Sequence, residues 1–133
     1  IAPPLPTDAS GPRQLRILIV DDNRDSADSM GMLLEMDGHH PSVAHDGHDA
    51  LALAERCHPQ VVLLDLGLPG MDGYEVARAL RARPATRDAF LIAVTGYGTD
   101  EDRARTRDAG FDRHLVKPAN LDLLRQWLDE CGR

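Results

Sequence analysis

The sequence lacks the features that mark disulfide-bonded, membrane-spanning and repeat proteins. Cysteine occurs only twice, at Cys57 and Cys131, with no recognisable spacing. Two isolated cysteines do not make a disulfide framework, so we expect free thiols in a reducing, cytoplasmic environment. No apolar run approaches the ~20 residues of a membrane helix, no signal peptide is visible, and no sequence repeat of about 20–50 residues is present.

The sequence also lacks an excess of positive charge. Its 133 residues include 15 lysines and arginines against 22 aspartates and glutamates, a formal net charge of −7. A domain that binds nucleic acid by itself usually carries a basic patch, so this balance argues against direct DNA or RNA binding. It suits a cation site or a basic partner surface. The 42% hydrophobic content is enough for the core of one domain.

Proline is concentrated near the N-terminus, at Pro3, Pro4, Pro6 and Pro12. Such a stretch buries little apolar surface and is typical of a linker. We therefore expect a linker over residues 1–14 and a folded domain over residues 15–133. The first residue is Ile1 and not methionine, which favours a natural protein that is longer at its N-terminus.

Five strands are predicted, over residues 17–20, 42–45, 61–64, 90–94 and 114–116. The first, third and fourth are continuous apolar runs, and the second is weaker. Helical spacing of apolar residues follows the other strands, with a helix expected over residues 74–83 among others, and a polar helix is expected over about residues 100–109. Pro41 favours an edge position for the second strand, because proline cannot donate to the ladder. Alternating strands and helices predict a parallel sheet covered by helices on both faces, a three-layer doubly wound α/β fold.

Four predicted strands carry polar side chains at their carboxyl ends. These residues are Asp21 and Asp22 after the first strand, Asp65 after the third, Thr95 after the fourth and Lys117 after the fifth. Parallel strands bring these ends to one edge of the sheet, where ligands bind in such folds. Clustered carboxylates invite a hard cation such as Mg²⁺, and Lys117 offers a positive charge to a phosphoryl oxygen. A carboxylate nucleophile, a divalent cation and an ammonium group together suit phosphoryl transfer, so we expect an aspartyl phosphate.

At these residues the chain resembles the receiver domain of two-component response regulators. The matching motifs are IVDDN at 19–23, LLD at 63–65 with LP at 68–69 and MDG at 71–73, VTG at 94–96, and LVKP at 115–118. The resemblance covers about residues 15–131. It implies a flavodoxin-like fold with a five-stranded parallel sheet in the order 2-1-3-4-5.

The resemblance also implies how a bound Mg²⁺ or Mn²⁺ ion is held. Asp65 is similar to the phosphoacceptor of the family and Asp22 to its direct metal ligand. Asp21 is expected to bind the ion through water, and the backbone carbonyl of Gly67 to complete the protein ligands.

Thr95 and Lys117 are expected, on the same resemblance, to bind the phosphoryl group, and the peptide before Pro118 to be cis. The implied partner is a histidine kinase or a histidine phosphotransfer domain. Direct nucleic-acid contact and membrane contact are not expected. Dimerisation through the face formed by the fourth helix, fifth strand and fifth helix is an open alternative to a monomer.

The chain departs from the family where a switch residue is expected. His114 stands three residues before Lys117, where the family usually has tyrosine or phenylalanine. We expect His114 to rotate as a switch with Thr95, with a smaller packing gain and a dependence on pH. Gly67 and Tyr97 occupy positions that tune dephosphorylation in the family.

Several functional contexts stay open at this point. The C-terminal receiver of a hybrid sensor histidine kinase is favoured over a free-standing response regulator or the receiver of another multidomain regulator. A phosphatase with an aspartyl-phosphate intermediate is disfavoured, because Gly67 stands where such enzymes carry a second acid. A phosphorylation-independent interaction module is disfavoured by the complete set of site residues. A stand-alone enzyme is not expected.

Other conspicuous residues are interpreted structurally. A metal site is not expected from the four neighbouring histidines, which are read as surface residues: His39, His40, His45 and His48. Trp127 is expected to pack in the core. Three arginines are expected to be exposed: Arg78, Arg81 and Arg83. The charged segment 100–108 is interpreted as a solvated helix face, with partner docking as the alternative.

Overall fold

Strands and helices alternate five times along the chain. The computed structural model describes residues 14–68, 70–96, 100–117 and 120–131, without the side chains of residues 100–102. The elements are β1 (Arg16–Val20), α1 (Arg24–Met36), β2 (His40–Ala44), α2 (Gly47–Cys57), β3 (Val61–Asp65), α3 (Gly73–Arg81), β4 (Phe90–Thr95), α4 (Asp100–Ala109), β5 (Arg113–Val116) and α5 (Leu121–Cys131).

The five strands form one parallel sheet in the order β2-β1-β3-β4-β5, which confirms the predicted flavodoxin-like fold. Side chains alternate between its two faces. Leu18 and Val20 of β1 join the core under α2 and α3, whereas Ile17 and Ile19 join the core under α1 and α5. Each fully buried side chain of this size contributes about 1.5–3 kcal/mol. Trp127 is half-buried and packs against the margin of the second core.

Helices α1, α2 and α3 begin at side-chain caps in the segments that follow the carboxyl edge of the sheet. Asn23, Asp46 and Asp72 are the N-caps of α1, α2 and α3. Asp72 accepts the backbone N–H of Glu75, whose carboxylate accepts the N–H of Asp72 in return, which completes a capping box. Each cap contributes about 1 kcal/mol and fixes the direction in which the chain leaves the site.

The boundaries of β2 differ from the predicted residues 42–45. The strand begins at His40, whose N–H donates to the Leu15 carbonyl oxygen at 2.9 Å, and it passes through Pro41. Because β2 is an edge strand and ladder bonds come from alternate residues, the nitrogen of Pro41 faces away from β1. The edge position itself is confirmed.

Helix α3 ends two residues before the predicted boundary at residue 83. Ala82 is its C-cap, and Pro84 disfavours helical backbone at Arg83. Arg78 is exposed as predicted. Arg83 is half-exposed and pairs with Glu55 at 3.3 Å.

The prediction that Arg81 is exposed is wrong. Its guanidinium group donates to the carbonyl oxygens of Gly110 at 2.7 and 2.9 Å, Arg87 at 2.6 Å and Ala89 at 2.6 Å. It also pairs with Asp112 at 2.8 Å. One side chain of α3 thereby ties the segment before β4 to the turn between α4 and β5.

The prediction that His39 is a surface residue is also wrong. His39 is 4% exposed, and its Nδ1 accepts the backbone N–H of Leu15 at 3.1 Å. Burial lowers the pKa of His39 below its ordinary 6.5, although the charges of Asp37 and Asp129 oppose this shift and His40 adds to it. The ring is therefore held neutral at the entry to β1.

We expect His39 to make the protein less stable as the pH falls below about 6.5. The unfolded chain binds a proton at the ordinary pKa of histidine, whereas the folded chain binds it only at lower pH. The free energy of unfolding should fall by up to about 1.4 kcal/mol per pH unit below that point. Urea unfolding from about pH 7.5 to about pH 5 measures this slope. A slope that survives in His39→Gln, or vanishes equally in the exposed control His48→Gln, contradicts the assignment.

Two further expectations are met within the described residues. Cys57 and Cys131 are free thiols. The described helices include none with the length and apolar content needed to cross a membrane.

Candidate functional site

Three carboxylates meet at the carboxyl edge of the sheet. Asp21 and Asp22 follow β1, and Asp65 is the last residue of β3. One oxygen from each carboxylate lies within 4.8 Å of the other two. Asp21 and Asp65 are 9% and 7% exposed, whereas Asp22 faces solvent. The sequence therefore correctly predicted that these three residues come together.

Both oxygens of Asp65 are bound by groups from the protein. Lys117, which directly follows β5, places Nζ 2.9 Å from Oδ2 of Asp65. The backbone N–H of Gly67 donates to Oδ1 at 2.8 Å. Asp65 is thus oriented by one charged and one neutral donor, and its two oxygens have different partners.

The loop after β3 returns very close to Asp65. A Cβ atom on Gly73 would lie 2.8 Å from the Asp65 carbonyl oxygen and 2.8 Å from Cα of Leu66, so only glycine fits there without displacing the loop. On the other side, the Lys117 N–H donates to the Thr95 carbonyl oxygen at 2.7 Å. Backbone contacts therefore hold the strand ends together.

The site carries more negative charge than its one ammonium group balances. Burial raises the pKa of Asp21, and the neighbouring charge of Asp65 raises it further. Burial lowers the pKa of Lys117, but the hydrogen bond and charge of Asp65 outweigh this effect, and the net change is upward. Repulsion between such close carboxylates favours binding of a cation.

The donor atoms at this edge suit a hard divalent cation. The cluster offers carboxylate oxygens and no sulfur or imidazole ligand, which is the set preferred by Mg²⁺ and Mn²⁺. Among the residues that the structure describes, this is the one group with metal-binding geometry. It includes none of the four neighbouring histidines.

Thr95 and His114 lie on the same face of the sheet. The register pairs Ala93 with His114 and Thr95 with Val116, and residues two apart on a strand share a face. His114 is half-buried, with Nδ1 3.4 Å from Oγ1 of Thr106 on α4. The backbone therefore positions the predicted switch pair beside α4.

Two of the predicted features lie outside the described residues: Tyr97 and the peptide before Pro118. The described side chains of α4 from residue 103 onwards are mostly exposed, in accord with a solvated face. Arg105 lies over the ring of Tyr74, 4.1 Å from its centroid.

A groove of about 490 Å³ opens beside the carboxylates. Asp65 and Lys117 line it together with apolar side chains that include Met30, Leu33 and Leu121. The carboxylate of Asp65 therefore borders an open groove and is not sealed inside the core.

Sequence reasoning missed one residue near the site. Nδ1 of His45 lies 3.0 Å from the backbone carbonyl oxygen of Asp21. The available signal was the position of His45 at the end of the strand beside β1, because parallel neighbours end at the same edge.

Comparisons with known proteins agree with this geometry. The family model described as the response regulator receiver domain matches residues 17–129. An uncharacterised 14.6 kDa protein of Leptolyngbya boryana is 37% identical over 119 residues, which are 89% of this chain and 91% of that protein. The chemotaxis protein CheY4 of Vibrio cholerae superposes with a TM-score of 0.84 at 26% identity, over 90% of this chain and 99% of that chain.

A receiver domain of a signal transduction histidine kinase from Syntrophus aciditrophicus is also similar, with a TM-score of 0.79 at 26% identity over 88% of this chain and 89% of that chain. Other curated relatives are longer proteins, and the chain spans 11–47% of their length. The family model covers most of the chain, and the sheet order is the one expected of that family. The chain therefore belongs to the response regulator receiver domain family of two-component signalling.

Proposed function

We propose that Asp65 accepts a phosphoryl group from a phosphohistidine and that the domain then changes conformation to signal. Receiver domains act with histidine kinases or phosphotransfer domains, so the donor is a phosphorylated histidine of such a partner. The observation that carries the proposal is the contact of 2.9 Å between Lys117 Nζ and Asp65 Oδ2. It places a positive charge beside the oxygens where a new acyl phosphate would carry negative charge.

The transfer replaces one bond to phosphorus by another. An oxygen of Asp65 attacks phosphorus, the P–N bond to the donor imidazole breaks, and its electron pair returns to the ring nitrogen. Lys117 shifts from the carboxylate to the phosphoryl oxygens. Its side chain is 42% exposed and has room for this movement. The Gly67 N–H holds Oδ1 of Asp65, which leaves Oδ2 as the oxygen released to react.

Asp21, Asp22 and Asp65 would hold a Mg²⁺ or Mn²⁺ ion, as receiver domains generally do, together with the Gly67 carbonyl. A bound divalent cation supplies charge that offsets the repulsion between the carboxylates and an incoming phosphoryl group. We assign Asp22, the exposed carboxylate, as the direct ligand, and Asp21 as a ligand through water. Thr95 supplies a hydroxyl group for the phosphoryl oxygens.

The readout is proposed to pass through Thr95 and His114 to the face formed by α4, β5 and α5. A histidine buries less apolar area than the aromatic residues usual at this position, so we expect weaker coupling to that face. The same face is the candidate dimer surface. Tyr97 and Gly67 are proposed to tune the lifetime of the phosphoryl group.

We further propose that the domain over residues 15–133 is part of a hybrid histidine kinase, with residues 1–14 as a linker. The support is the similarity to the receiver domain of the Syntrophus kinase and the greater length of most relatives. A free-standing response regulator is the alternative.

The test is incubation with Mg²⁺ and a small phosphodonor such as phosphoramidate, followed by intact mass and peptide mapping. One added phosphoryl group on the peptide that contains Asp65, absent in Asp65→Asn, supports the proposal. Asp88→Asn, an exposed aspartate before β4, is the matched control and should be phosphorylated like the wild type. No adduct with any donor contradicts the proposal. Rapid multiple turnover of a phosphate ester would indicate a phosphatase instead.

A further inference from the structure

His45 lies between β2 and α2, beside the loop that carries Asp21 and Asp22. Its ring is half-buried, and its Nδ1 lies 3.0 Å from the carbonyl oxygen of Asp21. A carbonyl oxygen only accepts, so Nδ1 carries the proton and donates it in this bond. This carbonyl belongs to the peptide that joins the two aspartates, so the imidazole restrains that peptide.

The hydrogen bond from His45 to the Asp21 carbonyl oxygen lies at the point where the backbone ladder between β1 and β2 ends. The N–H of Asp21 donates to the Ala44 carbonyl oxygen at 3.1 Å. A continuing parallel ladder would give the Asp21 carbonyl the N–H of Asp46. Asp46 is instead the N-cap of α2, where the chain turns away. The side chain of His45 supplies a donor at the position where the backbone no longer does.

This hydrogen bond restrains the backbone of Asp22, the exposed carboxylate of the cluster. Asp22 is exposed, so the direction of its carboxylate depends on the backbone that carries it. Asp21 is held separately, because its Oδ1 accepts the N–H of Asn23 at 2.9 Å. Fixing the peptide before Asp22 lowers the entropy that is lost when a cation orders this loop.

We propose that His45 is a positioning residue that orients the Asp21–Asp22 peptide, and so the Asp22 carboxylate, for binding of a divalent cation. The inference rests on the proposed function, since it assigns His45 a role in the same metal site. His45 touches the backbone of the loop and not the cation itself.

The experiment compares the Mg²⁺ affinity of the wild type with that of His45→Asn, His45→Gln and His45→Leu, by titration followed through amide chemical shifts. The amide nitrogen of asparagine can stand near the place of Nδ1, whereas that of glutamine lies one bond too far. We expect about tenfold weaker binding in the leucine and glutamine variants and nearly wild-type binding in the asparagine variant. His48→Leu, an exposed substitution on α2, is the control and should bind like the wild type.

A second readout needs no metal. The ¹⁵N shifts of the His45 ring in the metal-free protein should show a protonated Nδ1, and an unprotonated Nδ1 would overturn the inference. If the leucine variant does not fold, the asparagine and glutamine variants decide. If the glutamine variant binds Mg²⁺ as tightly as the wild type, the role of His45 is overturned, but the proposed function is not. Failure of the wild type to bind Mg²⁺ at all overturns the proposed function and this inference with it.

Discussion

Replacing Lys117 by methionine is expected to slow phosphorylation of Asp65 by about 100-fold or more and at the same time to tighten Mg²⁺ binding several-fold. The ammonium group lies 2.9 Å from Asp65, where it would offset negative charge on a transferred phosphoryl group. Without it, that charge develops beside three carboxylates. The same ammonium group competes with a cation for Asp65, so its removal strengthens attraction of the metal.

The two opposite effects separate an electrostatic role of Lys117 from simple damage to the fold. Phosphorylation rates with a small donor and Mg²⁺ titrations give both quantities on the same samples. Arg125→Met is the matched control, because Arg125 also forms an ion pair, with Asp37 at 2.8 Å, on the exposed surface of α5. Unchanged phosphorylation in Lys117→Met contradicts the role, and so does a loss of metal binding in parallel with the rate.

Replacing Arg81 by methionine is expected to lower the free energy of unfolding by about 2–4 kcal/mol. Methionine keeps most of the apolar stem of the side chain but leaves the carbonyl oxygens of Arg87, Ala89 and Gly110 without their charged donor. Asp112 also loses its ion pair, although Oδ2 still accepts the Leu91 N–H at 2.9 Å.

Urea unfolding of Arg81→Met, Arg81→Lys and Arg78→Met measures this contribution. Arg78 lies one turn earlier on α3 and is exposed, so its substitution should change stability by no more than about 0.5 kcal/mol. Lysine at position 81 should recover part of the loss only, because one ammonium group cannot reproduce a planar fork of donors. A loss below about 1 kcal/mol in Arg81→Met would mean that water replaces these bonds without cost.

The fold and the acidic cluster could be predicted because their signals are local. The three central strands are mainly apolar runs, and Asp65 directly follows the apolar residues of one of them. Once the alternation of strands and helices indicates a parallel sheet, the strand ends must share an edge. The meeting of Asp21, Asp22 and Asp65 then follows without any knowledge of their contacts.

The remaining contacts join side chains to distant backbone atoms, and no sequence pattern marks such partners. Arg81 and Gly110 are separated by 29 residues, and the acceptor is a carbonyl group that every residue possesses. His45 likewise donates to the carbonyl oxygen of Asp21, whereas His39 accepts the backbone N–H of Leu15. An arginine or histidine in a polar stretch is therefore predicted to be exposed, whether its side chain faces water or the backbone N–H and carbonyl groups of a distant segment.

Lys117 is the one lysine in the chain, since all other basic side chains among its 15 lysines and arginines are arginine. An amine-selective reagent consequently has one lysine side chain to label, and that side chain contacts Asp65. Only the unprotonated amine reacts, and Asp65 holds the pKa of Lys117 above its ordinary value despite the opposing effect of burial. The rate at which the peptide that contains Lys117 gains the label is therefore an intrinsic reporter of the charge at Asp65, and it needs no introduced probe.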